Sequence, residues 1–290
     1  MTSPPLHSFE WNEAQVDRRI ERAMFTISAT ARDGHVEVVG CGFVLKASGT
    51  SALAASAAHV FVEVRDLQQG KNLDRFHPSA LPDFRPPPKA VDLDLSGLAA
   101  VFANGEGVQF GRIVGLAFDE AADVAILQIE DQGGADGTPF DAELLVDDWL
   151  PEVGSLVSVL TYADLAYQNL ANGRTQMARR AITRVGKVLA VHPDGTRLCR
   201  GPCVETTIPI YSGMSGGAAV AYEEGKAIRV FGFVCSDPDV DSPIKQDRSI
   251  AGRSILGKLP CVEVTLGRGS ERIAQLSFIP SSASGVFTQL

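Results

Sequence analysis

Short runs rich in Val, Ile, Thr and small apolar residues recur from residue 24 onward, separated by Gly, Pro, Asp and Ser. Such runs are typical of antiparallel strands joined by turns. They lie at 24–31, 35–47, 51–61, 90–98, 107–118, 123–131, 155–163, 179–192, 218–235 and 261–266. A chain built from many short strands with Gly and Pro at the turns favours an all-β barrel or sandwich.

Three stretches depart from this pattern. Residues 12–23 are charged, with apolar positions at helical spacing, and predict a short amphipathic helix that either packs on the main domain or docks a partner. Residues 71–90 carry five of the sixteen prolines and predict a surface loop. Residues 131–138 are rich in Gly and Asp and predict a link. We therefore divide the chain into an N-terminal extension (1–23), a first half (24–135) and a second half (136–290) with a C-terminal extension.

Composition narrows the class of protein. With 290 residues and 45% hydrophobic content, the chain can bury a sizeable core. A net charge of −9, from 35 acidic and 26 basic residues, argues against nucleic-acid binding as a main role. The sequence contains no stretch of about 18 apolar residues and begins with no signal-peptide pattern. We expect no membrane association and a cytoplasmic location.

The cysteines are few and odd in number, which is a poor match to a disulfide framework. They are Cys41, Cys199, Cys203, Cys235 and Cys261. Such a set indicates reduced, mostly buried thiols. A weaker alternative is a zinc site formed by Cys199, Cys203 and His192, although zinc takes four ligands at close spacing. We expect no metal and no cofactor.

Three short segments together carry candidate chemistry. They are GCGFV (40–44) followed by AAHV (57–60), ADVAIL (122–127), and SGMSGGA (212–218). Each alone has an ordinary structural explanation: a buried histidine, a turn aspartate, a flexible Gly-rich loop. In the order His59, Asp123, Ser215 they match the needs of nucleophilic catalysis. A serine hydroxyl requires a base within hydrogen-bond reach, and that base must be held in one tautomer by a third group.

The glycines around Ser215 have a physical role of their own. A backbone without side chains can turn tightly and direct its N–H groups at a developing oxyanion. The amides of Gly213 and Ser215 are the candidate oxyanion-hole donors.

These motifs resemble those of the trypsin-like serine peptidases, especially bacterial ones, over roughly residues 24–262. The separations agree with the resemblance: 59 to 123 is 64 positions and 123 to 215 is 92. The resemblance implies an all-β fold of two packed six-stranded antiparallel β-barrels, spanning 24–135 and 136–290, with a short N-terminal helix. His59 and Asp123 would come from the first barrel and Ser215 from the second.

The sequence also departs from that family. Secreted members have a disulfide beside the histidine, whereas here Val60 stands where the partner of Cys41 is expected. Zymogens have an Asp before the serine, which pairs with a freed N-terminus, whereas here Met214 cannot form an ion pair. About 28 residues follow Val262, too few for the peptide-binding module of bacterial quality-control relatives.

The resemblance also implies a specificity pocket whose walls are 207–212 and 231–237. Its floor is Pro209, six positions before the serine, and no carboxylate lies at that depth. The predicted substrate-binding residues are Thr207, Ile208, Pro209, Ile210, Phe233, Val234, Cys235 and Ser236. Four acidic residues could line the rim, although solvated loop charges explain them as well: Glu205, Asp237, Asp239 and Asp241.

The favoured function is a serine endopeptidase that hydrolyses protein substrates through an acyl-enzyme, under the control of a regulatory partner. Two alternatives stay open. One is an inactive protease fold that serves as a binding module, and the other is an esterase with the same three residues.

Overall fold

The computed structural model describes residues 11–70, 92–104, 107–119, 122–133, 137–169, 175–196, 198–211, 213–222, 228–236, 254–260, 262–268 and 271–278. The predicted loop at 71–90 lies outside these ranges, as do Ser212, Asp237, Asp239, Asp241 and Cys261. In the described ranges, no helix is both long enough and apolar enough to span a lipid bilayer.

The first barrel is a closed antiparallel sheet of six strands. These are β2 (Met24–Thr30), β3 (Val36–Ser48), β4 (Ser51–Ala57), β5 (Leu98–Asn104), β6 (Gly107–Asp119) and β7 (Val124–Asp131). Their order is β6-β5-β2-β3-β4-β7, and pairing of β7 with β6 closes the ring. Toward the end of β7 the side chains alternate between the barrel interior and the outside, as the pleat of a barrel strand requires. Ile129 is buried there between the half-buried Gln128 and Glu130.

The second barrel is built in the same way. Its strands are β9 (Leu156–Asn169), β10 (Thr175–His192), β11 (Cys203–Thr206), β12 (Ala218–Ala221), β13 (Arg229–Ser236) and β14 (Ser254–Lys258). The order is β9-β12-β13-β14-β11-β10, and pairing of β10 with β9 closes it. A two-residue strand, β8 (Leu145–Val146), pairs in parallel with β13. The predicted pair of six-stranded antiparallel barrels is confirmed.

The first and last described strands each join the sheet of the barrel that is more distant in sequence. Strand β1 (Trp11–Gln15) pairs with β10 of the second barrel. Strand β15 (Val262–Arg268) pairs with β16 (Glu271–Phe278) and also meets β6 of the first barrel. The C-terminal strands therefore join the sheet of the first barrel rather than that of the second.

The predicted helix at 12–23 is wrong for most of its length. The structure has β1 there, followed by a four-residue helix, α1 (Arg18–Glu21), capped by Asp17. The open edge of β10 supplies backbone partners for residues 11–15, and such pairing outweighs the weak helical periodicity of a short segment. Helix α2 (Ala58–Gln68) was not predicted, because its apolar residues continue the apolar run of β4.

The link at 131–138 stays attached to the first barrel. The buried Asp131 accepts hydrogen bonds from the amides of Gly133 (2.8 Å) and Thr138 (3.2 Å). The following segment bonds to the same barrel, since the amide of Leu144 donates to the Val44 carbonyl. The passage to the second barrel therefore comes later than residue 135, at β8.

Candidate active site

His59 and Asp123 are bound to each other at one end of the first barrel. His59 is the second residue of α2, and its ring Nδ1 lies 2.7 Å from Asp123 Oδ2. The histidine backbone amide donates to the other carboxylate oxygen, Oδ1, at 2.9 Å. The Asp123 side chain is 4% exposed and the His59 side chain 30%. Because a carboxylate accepts from Nδ1, the neutral ring has its lone pair on Nε2, the nitrogen that a general base uses.

Asp123 also caps α2. The N-cap residue that precedes the helix, Ala57, makes no side-chain capping hydrogen bond. Instead the Ala58 amide donates to the Asp123 carbonyl at 2.8 Å, and the His59 amide donates to its carboxylate. Asp123 has a φ of 57°, the one positive value at a non-glycine position in the described part of the chain. Backbone strain of this kind persists where surrounding contacts fix it, and here three hydrogen bonds do so.

A buried thiol makes a further contact to the same carboxylate. Cys235 Sγ donates to Asp123 Oδ2 at 3.2 Å, and it also lies 3.5 Å from the Leu198 carbonyl. A hydrogen bond with Cys199 lowers the pKa of the Cys235 thiol. Burial and the charge of Asp123 raise it by more, so that the pKa of the thiol is raised to about 11. The thiol is therefore protonated at neutral pH and can donate. Sequence reasoning placed Cys235 in the pocket wall and missed this contact, since no local signal connects positions 112 residues apart.

The turn that carries Ser215 is bonded to the first barrel. The Ser215 carbonyl accepts from the Cys41 amide at 2.8 Å, and Cys41 Sγ donates to the Gly213 carbonyl at 3.0 Å. Thr161 Oγ1 of the second barrel donates to the Met214 carbonyl at 3.2 Å. Three consecutive carbonyls, 213 to 215, are thus held by neighbours on both sides of the cleft.

Gly216 shows how close this turn lies to the histidine helix. Its φ is +83°, and a Cβ at this position would lie 2.2 Å from the Cys41 carbonyl oxygen and 3.0 Å from the Ala57 amide nitrogen. Ala57 is two residues before His59. The turn is therefore packed against the start of α2, which brings Ser215 to the histidine side of the cleft.

The predicted oxyanion-hole donors are the amides of Gly213 and Ser215. Within the described ranges neither amide donates a hydrogen bond to the protein. Gly213 has a φ of +87°, a conformation that L side chains rarely adopt. Two unsatisfied N–H groups in one turn, beside a half-buried serine, can stabilise a negative oxygen.

Most of the predicted pocket side chains are directed into the core. Ile208, Ile210 and Val234 belong to the apolar cluster of the second barrel, and Phe233 to the larger cluster that spans both barrels. Thr207 Oγ1 accepts from the Lys187 amide at 3.0 Å. Pro209 is also buried, and its carbonyl accepts a hydrogen bond from Arg184. The Ser236 side chain lies outside the described ranges. The buried residues among them, 207–210 and 233–235, can contribute backbone atoms, but hardly side-chain surface, to a substrate.

The four described cysteines are neither cross-linked nor arranged with one another as a metal site. The thiols of Cys41, Cys199, Cys203 and Cys235 are free and buried. Over the described ranges, one group of three possible metal ligands lies within 4.8 Å, and it consists of His59, Asp123 and Cys235. The spacings inside that group, 2.7 and 3.2 Å, are those of hydrogen bonds. His192 does not form such a group with Cys199 and Cys203; it lies 3.8 Å from Glu205.

Comparison with known proteins gives a family match. The trypsin-like peptidase domain matches residues 40–228, well over half of the chain. No curated protein matches the sequence. Among solved structures the chain is similar to Deg5, with 16% identity and a TM-score of 0.45, covering 82% of this chain and 85% of that one. It is also similar to an inactive Ser-to-Ala mutant of Rv3671c from M. tuberculosis H37Rv, with 14% identity, a TM-score of 0.39 and 82% coverage of each chain.

We predict that Gly216→Ala destabilises the protein much more than Gly154→Ala. Both glycines have a φ above +80°, but a Cβ at Gly154 would meet nothing within 4 Å. The control substitution should cost about 1 kcal/mol of unfolding free energy from backbone strain alone, and Gly216→Ala about 3 kcal/mol or more because backbone must also move. Denaturant unfolding of the two variants measures the difference. Equal losses would contradict the close packing of the turn on β3 and α2.

Proposed function

We propose that this chain, which belongs to the trypsin-like peptidase family, is an active serine endopeptidase with Ser215 as nucleophile, His59 as base and Asp123 as its orienting group. The observation that carries the proposal is that the Ser215 turn packs against the part of the first barrel that holds the His59–Asp123 pair. The Ser215 carbonyl is hydrogen-bonded to Cys41 of β3, and Gly216 lies close to Ala57, two residues before His59.

Each residue has a chemical part in this mechanism. His59 Nε2 takes the Ser215 proton as the hydroxyl attacks the scissile carbonyl, and later gives it to the leaving amine. Asp123 holds the ring by Nδ1 and stabilises the imidazolium that forms. The amides of Gly213 and Ser215 receive the oxyanion of the tetrahedral intermediate. Water then hydrolyses the acyl-enzyme by the same proton transfers, and the Ser215 hydroxyl is restored.

The buried surroundings of Asp123 support this assignment of roles. A carboxylate that is 4% exposed loses most of its hydration, and its charge must be compensated by donors. The His59 ring, the His59 amide and the Cys235 thiol supply three. A charge held in this way is strongly coupled to the imidazolium, because little water screens it.

We further propose that protein substrates are cleaved in a reducing compartment such as the cytoplasm. The four described thiols are all buried and free, so the fold as described does not use them as cross-links. A binding module without activity and an esterase are the alternatives that the experiments below separate.

Ser215→Ala should abolish turnover and leave the thermal unfolding midpoint nearly unchanged, since it removes the nucleophile and a single oxygen. We expect the loss to be about 10⁴- to 10⁶-fold, and His59→Ala and Asp123→Asn should also be severe. Labelling by a fluorophosphonate measures the nucleophile, and digestion of a protein library measures peptidase activity. Ser48→Ala, at an exposed position of β3, is the control.

The outcomes separate the candidate functions. Labelling with digestion supports the endopeptidase. Labelling without digestion, but with hydrolysis of small esters, favours the esterase. A parent protein that neither labels nor hydrolyses, or a Ser215→Ala variant with activity near the parent's, would contradict the proposed mechanism.

The pH profile tests the histidine base and the thiol together. Activity should rise between about pH 6 and 8, because His59 must be neutral and an ordinary imidazole titrates at about 6.5. Cys235→Ala removes a hydrogen-bond donor from the Asp123 carboxylate and should lower kcat/KM roughly tenfold. Without that donor the negative charge of the carboxylate is less neutralised and stabilises the imidazolium more strongly. The rise in activity should therefore occur at higher pH than in the parent. Cys235→Ser retains a donor and should stay near the parent.

Cys203→Ser is the matched control for loss of a buried thiol, since Cys203 Sγ contacts the Cys199 carbonyl rather than Asp123. A profile that is flat from pH 5 to 9 would contradict a histidine base. An alanine variant of Cys235 with an unchanged profile would contradict the role given to the thiol.

All five cysteines should be free thiols. Protein denatured without reductant and treated with iodoacetamide should gain five carbamidomethyl groups by mass spectrometry, and activity should survive strong reductant. If two or more thiols resist alkylation until reductant is added, the proposal of a reducing compartment is wrong.

A further inference from the structure

The first described strand fills an edge of the second barrel close to the Ser215 turn. In β1, Trp11 pairs with Gly186 and Gln15 with Ile182. Strand β10 uses the same edge to pair with β11, from Val188 onward. Thus β1 occupies the part of the β10 edge that β11 does not reach, and it brings the side chain of Glu13 opposite Arg184.

Arg184 is a buried cation whose counterion comes from β1. Its side chain is 5% exposed, and its Nε donates to Glu13 Oε2 at 2.9 Å. The guanidinium lies 5.2 Å from the ring of Trp11, on the same strand. Burial raises the pKa of Glu13, but hydrogen bonds from Arg184 and then Arg180 outweigh this and lower it. The Glu13 carboxylate is therefore charged at neutral pH. A buried arginine needs such a partner, because it stays protonated and an unpaired buried charge is strongly disfavoured.

The other side of Arg184 supports the turn that leads to Ser215. One terminal nitrogen donates to the Pro209 carbonyl and lies 3.8 Å from Met214 Sδ. The guanidinium also lies 4.6 Å from the centre of the Tyr211 ring. Pro209, Tyr211 and Met214 thus all contact the Arg184 guanidinium.

The turn closes around the thioether that Arg184 contacts. The Tyr211 amide donates to Met214 Sδ at 3.3 Å, and the Met214 amide donates to the Tyr211 carbonyl at 3.1 Å. The side chain of Met214 therefore points toward Arg184. Gly213 and Ser215, whose amides we assign to the oxyanion, lie on either side of Met214. The contact with Arg184 therefore acts on the backbone between the two amides.

We propose that β1 contributes to the geometry of the active site through Glu13. Glu13 holds Arg184, and Arg184 positions the turn that carries Ser215 so that the amides of Gly213 and Ser215 both point at the oxyanion. This inference rests on the proposed function. Glu13 and Arg184 are positioning residues, since they act through the backbone of the turn. Because the oxyanion develops only as the serine attacks and is absent from the bound substrate, their loss should lower kcat more than it raises KM.

The chain offers a matched pair of substitutions. Glu13→Gln keeps the size of the side chain but removes the counterion of Arg184. Arg180→Gln removes the other, exposed partner of Glu13, which binds Oε1 at 3.0 Å, and leaves the Arg184 contact in place. We expect Glu13→Gln to reduce kcat about 10- to 100-fold, the size of effect that a small displacement of catalytic donors produces, with KM changed less than about threefold. Arg180→Gln should stay within about twofold of the parent.

Hydrogen exchange gives a second readout that does not depend on activity. In Glu13→Gln the amides of 211–215 should exchange faster than in the parent, whereas those of β9 and β12 should be unchanged. If Glu13→Gln does not fold, Glu13→Asp, which keeps the charge but shortens its reach, is measured by the same criteria.

The results separate the two proposals. A parent protein that fails to label at Ser215 contradicts the proposed function, and the exchange experiment then decides the positioning role alone. A folded Glu13→Gln variant with kcat and exchange of 211–215 both near the parent's would overturn the positioning role while leaving the peptidase assignment intact.

Discussion

The geometry of the candidate active site depends on a small set of hydrogen bonds that cross from one barrel to the other at Cys41. Its amide binds the Ser215 carbonyl and its thiol binds the Gly213 carbonyl. The described strands of the two barrels belong to two separate sheets, so no strand pairing among them joins one barrel to the other. Their relative position must therefore come from side-chain packing and from such specific polar contacts. Here the contacts fall on the turn that carries Ser215.

Asp123 has a similar double role within the first barrel. It satisfies two of the amides that the N-terminus of α2 would otherwise leave without partners, and its carboxylate holds the imidazole of the second residue of that helix. The same buried group thus fixes the helix and the ring that the helix carries. A buried carboxylate is costly unless its oxygens are satisfied, and the Cys235 thiol from the second barrel completes the set. This arrangement couples the position of β13 to that of α2.

The exchange of chain ends connects the barrels further. Strand β1 lies on the second barrel although it precedes the first in sequence, and β15 and β16 extend the sheet of the first barrel although they follow the second. The N-terminal strand also provides the counterion for Arg184, a residue buried at 5% side-chain exposure. Arg184 in turn contacts Met214 of the serine turn. Its guanidinium also lies within 5.2 Å of the Trp11 ring and 4.6 Å of the Tyr211 ring, distances at which a cation is attracted to an aromatic face.

The sequence by itself determined the strand-rich class of fold, the order of the candidate residues and the Gly-rich character of the serine turn. These depend on local features: short apolar runs, turn residues between them, and short motifs. It also predicted a helix over 12–23, where the structure has a strand up to Gln15 and a helix only over Arg18–Glu21, and it did not predict α2. The local pattern of residues 11–15 does not reveal that the edge of β10 is open to receive them.

Only the tertiary structure decided which side chains meet at the site. The contact of Cys235 with Asp123 and that of Glu13 with Arg184 join positions 112 and 171 residues apart. It likewise directed Ile208, Ile210, Phe233 and Val234 into the core, although their sequence positions had suggested a pocket wall. The physical reason is the same in each case: the periodicity of a strand fixes which residues share a face, but the closure of the barrels and their packing fix what that face meets.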